Sequence, residues 1–412
     1  MISAPDGSTA PLNGIRVLEL GNFIAAPFAS RIFADFGAEV IKIEKPGTGD
    51  ELRDWRKARG ETSMLFRTLG RNKKSVALDL RSDDGREAVL RLAERSDVLI
   101  ENFRPGTLEK WGMGPEELTA LNPDLVIVRI SGYGQTGPYK DRAGFGSAAE
   151  SFGGLRYLTG EADRPAVRQA ASLGDTVAGM YGAIGALMLM LQKARGIEVP
   201  GPKIVDIGLY EGIFSLLESL VPDYDAYGDV RKRSGGSLPG VVPMGAYPTG
   251  DGLEIVIGGN SYSVFTRLMR AAGREDLATD PDLETATGRE RREAELNGVI
   301  REWTSSLSLA EVTDILAEAG VPAGPVYDAP SIAVDPHYLE RGMIEAHEIV
   351  IEDEPELIRF PGIVPKLPGH EGVTKWMGPD LGEHTDEVLE EIGFDPERRA
   401  RLQGRETAGA GA

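Results

Sequence analysis

Short apolar runs alternate with stretches whose apolar positions recur three and four apart through the first third of the chain. "IRVLEL" (15–20) reads as a strand, "AAPFASRIFADFG" as a helix ending at Gly37, and "AEVIKIE" (38–44) as the next strand. "SVALDL", the helix "DGREAVLRLAERS" and the strands "DVLIEN" and "DLVIVRISG" continue in the same style. This alternation predicts an α/β fold, a doubly wound parallel sheet covered by helices, with ligands at the carboxyl ends of its strands.

Further on, "LGDTVAGMYGAIGALMLMLQ" sets one acid, Asp175, ahead of an uncharged run whose apolar part, 177–191, falls short of the roughly 20 residues that span a bilayer. Asp suits a helix N-cap, where its side chain accepts from orphan amides and its charge meets the positive end of the dipole. The same setting makes a weakly solvated carboxylate fit for covalent catalysis. On this window both roles stay open. "IVDIGLYEGIFSLLESLVPDYDAYG" then reads as a strand and a long helix, and 231–252 is Gly- and Pro-rich, a domain boundary or mobile binding loop. "LEIVIGG" and three helical patterns build a small α/β module ending near Tyr327, before the strand-like "HEIVIEDEPELIRFPG" and an acidic helix at "DEVLEEIG". A chain of 412 residues exceeds the size of one growing core, so two domains are expected.

Composition narrows the chemistry. The absence of cysteine removes thiolate catalysis and disulfides, and four His (His337, His347, His370, His384), all in the last quarter, leave little for a zinc site. The opening "MISAPDGSTAPLNGIR" lacks the pattern of a signal peptide, so a soluble, cytoplasmic protein is expected. A net charge of −20 argues against nucleic acid and anionic membranes. Residues 1–145 are nevertheless neutral, with 21 basic against 21 acidic, so the whole acidic excess follows them. A small anionic ligand should therefore dock on the first third. "GNFIAAP" after the first strand is not G-x-G-x-x-G, and no P-loop occurs, so nicotinamide and NTP sites gain no support.

Seven segments in order carry a resemblance: "PLNGIRVLEL", "AAPFASRIFADFGAEVIKIEKPGTGD", "NKKSVALDL", "ENFRPGTLEKWGM", "ISGYGQTGPYKDRAGF", "LGDTVAGMYGAIGAL" and "LGEHTDEVLEEIGF". Together they resemble the CaiB/BaiF family, the class III coenzyme A transferases. The resemblance implies a large Rossmann-like domain from both chain ends (1–225 plus 335–405), a small inserted domain (226–334), a disordered tail (406–412) and an interlocked homodimer. It implies an acyl-CoA:carboxylic acid CoA-transferase with no permanently bound cofactor, the CoA thioester being substrate. The donor would be succinyl-CoA or another dicarboxylyl-CoA.

By the same resemblance Asp175, after Gly174, is the nucleophile. Phe23, Ile24 and Ala25 match the turn beside the CoA chain. Lys45, Leu78, Arg81, Arg104, Lys110 and Trp111, with Lys140 and Arg142 nearby, match CoA-binding positions; Lys73 and Lys74 are further options for its phosphates. Arg168 and 231–233 could serve an acceptor carboxylate, and Gly235, Gly236 or Gly240 a mobile glycine loop. Glu150 reads more readily as a surface carboxylate than as a second polar group of the site. The family's racemases place a His where this chain has Phe145, which cannot transfer a proton. The formyl-CoA transferases carry Gln and Glu where it has Ile24 and Gly146. Chemistry at the acyl α-carbon, a silent CoA-binding protein and, more remotely, a dehydrogenase stay open as alternatives.

Overall fold

A computed structural model describes residues 9–60, 62–198 and 200–403; the expected disordered tail lies outside them. Six strands form one sheet: β1 (Arg16–Glu19), β2 (Glu39–Glu44), β3 (Lys73–Ala77), β4 (Val98–Glu101), β5 (Val126–Ser131) and β6 (Lys203–Gly208). Their spatial order is β3-β2-β1-β4-β5-β6, and every adjacent pair is parallel. The winding reverses between β1 and β4, which opens a crevice at their carboxyl ends.

Five helices position the site: α1 (Ala25–Asp35), α2 (Asp83–Glu94), α3 (Thr107–Lys110), α4 (Gly146–Phe152) and α5 (Leu173–Ala194). On one face of the sheet Val17, Val40, Val98 and Val128 pack with alanines of α1 and α5. On the other, Leu18, Ile41, Leu99 and Ile127 meet α2 and the helix Thr385–Glu391. Cover on both faces explains why the strands read as near-continuous apolar runs. By length and composition alone α5 could cross a membrane. Here its small residues Ala178, Gly182, Ala183 and Ala186 are buried in the domain core.

The outer edge of β3 is covered by a segment from the far end of the chain. Asn72 N–H donates to Trp376 O (3.0 Å), His384 N–H to Ser75 O (2.9 Å) and Trp376 Nε1 to Lys73 O (3.0 Å). Ala77 N–H reaches Thr385 Oγ1 at 3.0 Å.

Contacts divide the chain into two compact units, the second holding Arg156–Arg168 and Leu220–Pro336. Residues 156–168, 220–225 and 335–336, expected in the large domain, thus belong with the second unit. The reason is local: Gly235 N–H donates to Gly160 O, Arg233 to Tyr157 O, and Arg231 pairs with Asp223. The expected long helix after β6 breaks into Leu209–Phe214 and Leu220–Tyr227, because Pro222 lacks an N–H and its ring would clash with a helical carbonyl at Glu218. Within the second unit Met244–Pro248, Glu254–Gly258 and Ala323–Pro325 form an antiparallel sheet, the first strand lying inside the Gly- and Pro-rich stretch.

Candidate active site

The crevice starts at the turn leaving β1. At Gly21 a Cβ would lie 2.2 Å from Ala26 Cβ and 2.8 Å from Asn102 Oδ1, so only glycine fits. Asn102 grips the next residue twice: Asn22 N–H donates to its Oδ1 (2.9 Å) and its Nδ2 donates to Asn22 O (2.8 Å). Phe23 then takes a φ of +61°, a left-handed conformation that costs an aromatic residue energy, and its N–H donates to Asp50 Oδ1 at 2.9 Å. Ile24 is buried and Ala25 opens α1, whose N-cap has no side-chain hydrogen bond and whose first turn has no acid.

A cavity of about 270 Å³ lies beside this turn, at the carboxyl ends of β1, β2 and β3. Asn22, Lys45, Leu78, Arg81, Phe103 and Trp111 line it. Trp111 and Phe103 meet edge to face, 5.3 Å between ring centres. The segment that carries them is held by Arg129, which pairs with Glu101 (2.8 Å) on β4 and with Glu109 (2.7 Å) on α3. Burial pushes the Glu101 carboxyl up to about 7, against the pull of Arg129. Two aromatic rings suit a stacked base, and the two cations share the lining with the carboxylates of Glu44 and Asp79.

Asp175 is the third residue of α5, and its carboxylate rests on α4: a Cβ at Gly146 would lie 2.1 Å from Asp175 Oδ2. A Cβ at Gly174 would come within 2.8 Å of Gly146 O. One turn along α4, Glu150 is buried and its Oε1 accepts from Gly174 N–H at 3.4 Å. One turn along α5, Gly179 meets α1, where a Cβ would lie 2.6 Å from Ala25 O. The close crossing of α1 and α5 thus sets the Phe23–Ala25 turn one helical turn from Asp175.

Comparison with known proteins gives the chain its family. The family model for CoA-transferase family III matches residues 12–385. The chain belongs to that family. It is 45% identical over 399 residues, 96% of this chain and 97% of the relative, to a succinyl-CoA–D-citramalate CoA-transferase of Chloroflexus aurantiacus. It is 39% identical over 401 residues (96% of this chain, 92% of the relative) to the alpha subunit of a succinyl-CoA–L-malate CoA-transferase from Chloroflexus aurantiacus. The crystal structure of a CaiB/BaiF family protein from Brucella suis superposes with a TM-score of 0.80 at 31% identity, covering 93% of this chain and 99% of that one. The protein is a CoA-transferase.

In this family III transferase several sequence-derived expectations change. Asp175 is not the N-cap: the helix starts two residues earlier, Ser172 holds that position without a side-chain cap bond, and Asp175 sits in the first turn. Glu150 is buried, not a surface carboxylate, because α4 turns it under Gly174. Lys73 is fully buried against Glu19 (2.8 Å) and Pro27 O, and burial pushes its ammonium down to about 8. Lys74 pairs with Glu39 and Glu387. Neither lysine is free for phosphate.

Lys45, Leu78, Arg81 and Trp111 gather on the cavity; Arg104 and Lys110 are exposed on the α3 segment and do not line it. Arg81 already pairs with Asp79 (3.1 Å). Lys140 and Arg142 are exposed beyond β5, with the Arg142 guanidinium 3.5 Å over the Tyr139 ring. In the second unit Arg231 and Arg233 are engaged by Asp223 and Tyr157. Sequence reasoning missed Asn22, Asp50, Asn102 and Phe103. "ENF" and "GTGD" hold three of them, at or after strand ends, but no spacing reveals which backbone amide a side chain will reach.

Proposed function

We propose that this transferase moves CoA from succinyl-CoA to a second dicarboxylate through covalent catalysis at Asp175. The carrying observation is the seat of that carboxylate, lodged on Gly146 in the first turn of α5, one turn from the contact with Ala25. The helix dipole favours its anionic form while the packed glycines limit its solvation. It attacks the thioester carbonyl and expels CoA thiolate, leaving a mixed anhydride. The thiolate attacks the aspartyl carbonyl and releases succinate, leaving CoA on the enzyme as a thioester. The acceptor carboxylate repeats the two steps in reverse order and departs as acyl-CoA, restoring Asp175. No water or ATP is consumed.

The cavity holding Lys45, Leu78, Arg81 and Trp111 takes the nucleotide of CoA, and the Phe23–Ala25 turn lies along its thiol arm. Lys140, Arg142, Arg104 and Lys110 contribute at the rim. The succinyl donor is supported by the two Chloroflexus relatives, whose names specify it. The working protein is a cytoplasmic homodimer with interlocked protomers, a reading supported by the apolar outer face of α5, where Met180, Tyr181, Ile184, Met188 and Leu191 are exposed.

Incubation with succinyl-CoA and hydroxylamine, followed by peptide mapping, tests the nucleophile. A hydroxamate is expected on the Asp175 peptide and none in Asp175→Ala, which loses at least a thousandfold in transfer rate. Undiminished transfer by Asp175→Ala would sink the reading.

A further inference from the structure

Six charged side chains, three of each sign, are buried next to the β1 turn: Glu19, Glu44 and Asp50 with Lys42, Lys73 and Arg53. Lys42 Nζ lies 2.8 Å from both Glu19 and Asp50, Lys73 Nζ 2.8 Å from Glu19, and Arg53 2.7 Å from Glu44. Glu44 also accepts the N–H of Asp50 at 3.0 Å. Withdrawing ions from water costs several kcal/mol each, and apolar residues of equal volume commonly fill such a site with no loss of stability. Stability alone therefore does not account for the cluster.

Its contacts with the backbone do. Lys42 Nζ donates to Gly21 O (2.7 Å), Lys73 Nζ to Pro27 O (2.8 Å), and Asp50 Oδ1 accepts from Phe23 N–H. These backbone atoms bracket the left-handed Phe23 and the first turn of α1, whose Ala25 carbonyl rests on Gly179 of the Asp175 helix. A strained aromatic residue keeps such a conformation only when its surroundings hold it there.

We propose that Asp50, fixed by Lys42, is a positioning residue for the transfer reaction, holding the Phe23 amide so that the turn presents the thioester to Asp175 in one geometry. The proposal rests on the reading of Asp175 as nucleophile. Released from Asp50, the start of α1 shifts against α5, and a misplacement of about 1 Å costs roughly a hundredfold in rate. Leu20, Asn22 and Glu44 of this region share the cavity's lining, but Lys45, Arg81 and Trp111, the groups proposed to hold the nucleotide, are not among the atoms Asp50 fixes, so binding of the nucleotide persists. The signature is a fall in kcat with KM held.

Two full-length, charge-balanced variants test this without stranding an ion. Lys42→Met/Asp50→Asn keeps an oxygen for the Phe23 amide and for the Leu52 amide that shares it (2.9 Å); Lys42→Met/Asp50→Leu removes it. Transfer from succinyl-CoA to a panel of dicarboxylates is measured for both, normalised to folded protein. The Leu variant is expected to lose about 30- to 100-fold in kcat with KM for succinyl-CoA within about threefold, and the Asn variant to keep at least ten times its kcat. Equal kcat in the two variants, differing only in melting temperature, would overturn the proposal. Asp175→Ala, assayed in parallel, separates the two failures: full activity there defeats the nucleophile, whereas a dead Asp175→Ala beside equal Asn and Leu variants defeats only Asp50.

Discussion

Asp175 keeps its carboxylate in space that any side chain at residue 146 would take. Gly146→Ala is therefore expected to displace it and cut kcat about a hundredfold, with CoA binding by calorimetry little changed. Trp111→Ala, which strips the cavity of a ring, should instead raise KM for succinyl-CoA about tenfold and leave kcat within a few fold, read from saturation curves. At this scale the sequence marks residues whose own chemistry is unusual for their place. A lone acid ahead of an apolar helix, and cations after strand ends, stood out from their neighbours. Gly146 and Gly179 did not, because what they contribute is the absence of a side chain opposite a group distant in sequence.

The strands and helices of the large unit were legible because both periodicities are strong and helix breakers separate them. The strand Met244–Pro248 was not, since Gly and Pro dominate its surroundings and its pairing with Glu254–Gly258 is a tertiary matter. Least visible was the ionic joint between β1, β2 and β3. Burial alone would raise the Glu19 carboxyl, but the ammonium groups of Lys42 and Lys73 overcome it and hold it down to about 2, against an ordinary value of 4.5. A depressed carboxyl pKa contributes stability that is whole above about pH 4.5 and lost as pH falls through 2. Glu19→Gln abolishes that contribution, so its unfolding free energy in urea should lie closer to wild type at pH 3 than at pH 5, by about 2 kcal/mol. A gap independent of pH would mean that Glu19 titrates normally.

Across the whole molecule, charge and hydrophobicity are unevenly placed. The neutral first third carries the cavity proposed for the nucleotide, while the net charge of −20 belongs to the remainder. The apolar outer face of α5 gives the proposed dimer its test: Met188→Glu/Leu191→Glu should convert it to a species near 44.3 kDa by light scattering. Unchanged mass would place the interface elsewhere. A discontinuous first unit is implied by family resemblance alone, and the grouping of residues 156–168 with the second unit goes with contacts such as Gly235 N–H to Gly160 O and Arg233 to Tyr157 O that no pattern encodes.

The covering of β3 sets an order of events during synthesis. The strand leaves the ribosome about 300 residues before the segment around Trp376 and His384 that will shield its outer side. Through most of translation the nascent sheet therefore carries a bare edge, open to pairing with neighbouring chains on the same messenger. A chain stopped before residue 372 should accumulate as insoluble material whatever the state of its active site, so premature termination late in the gene would remove the protein as completely as a deletion of its first strand.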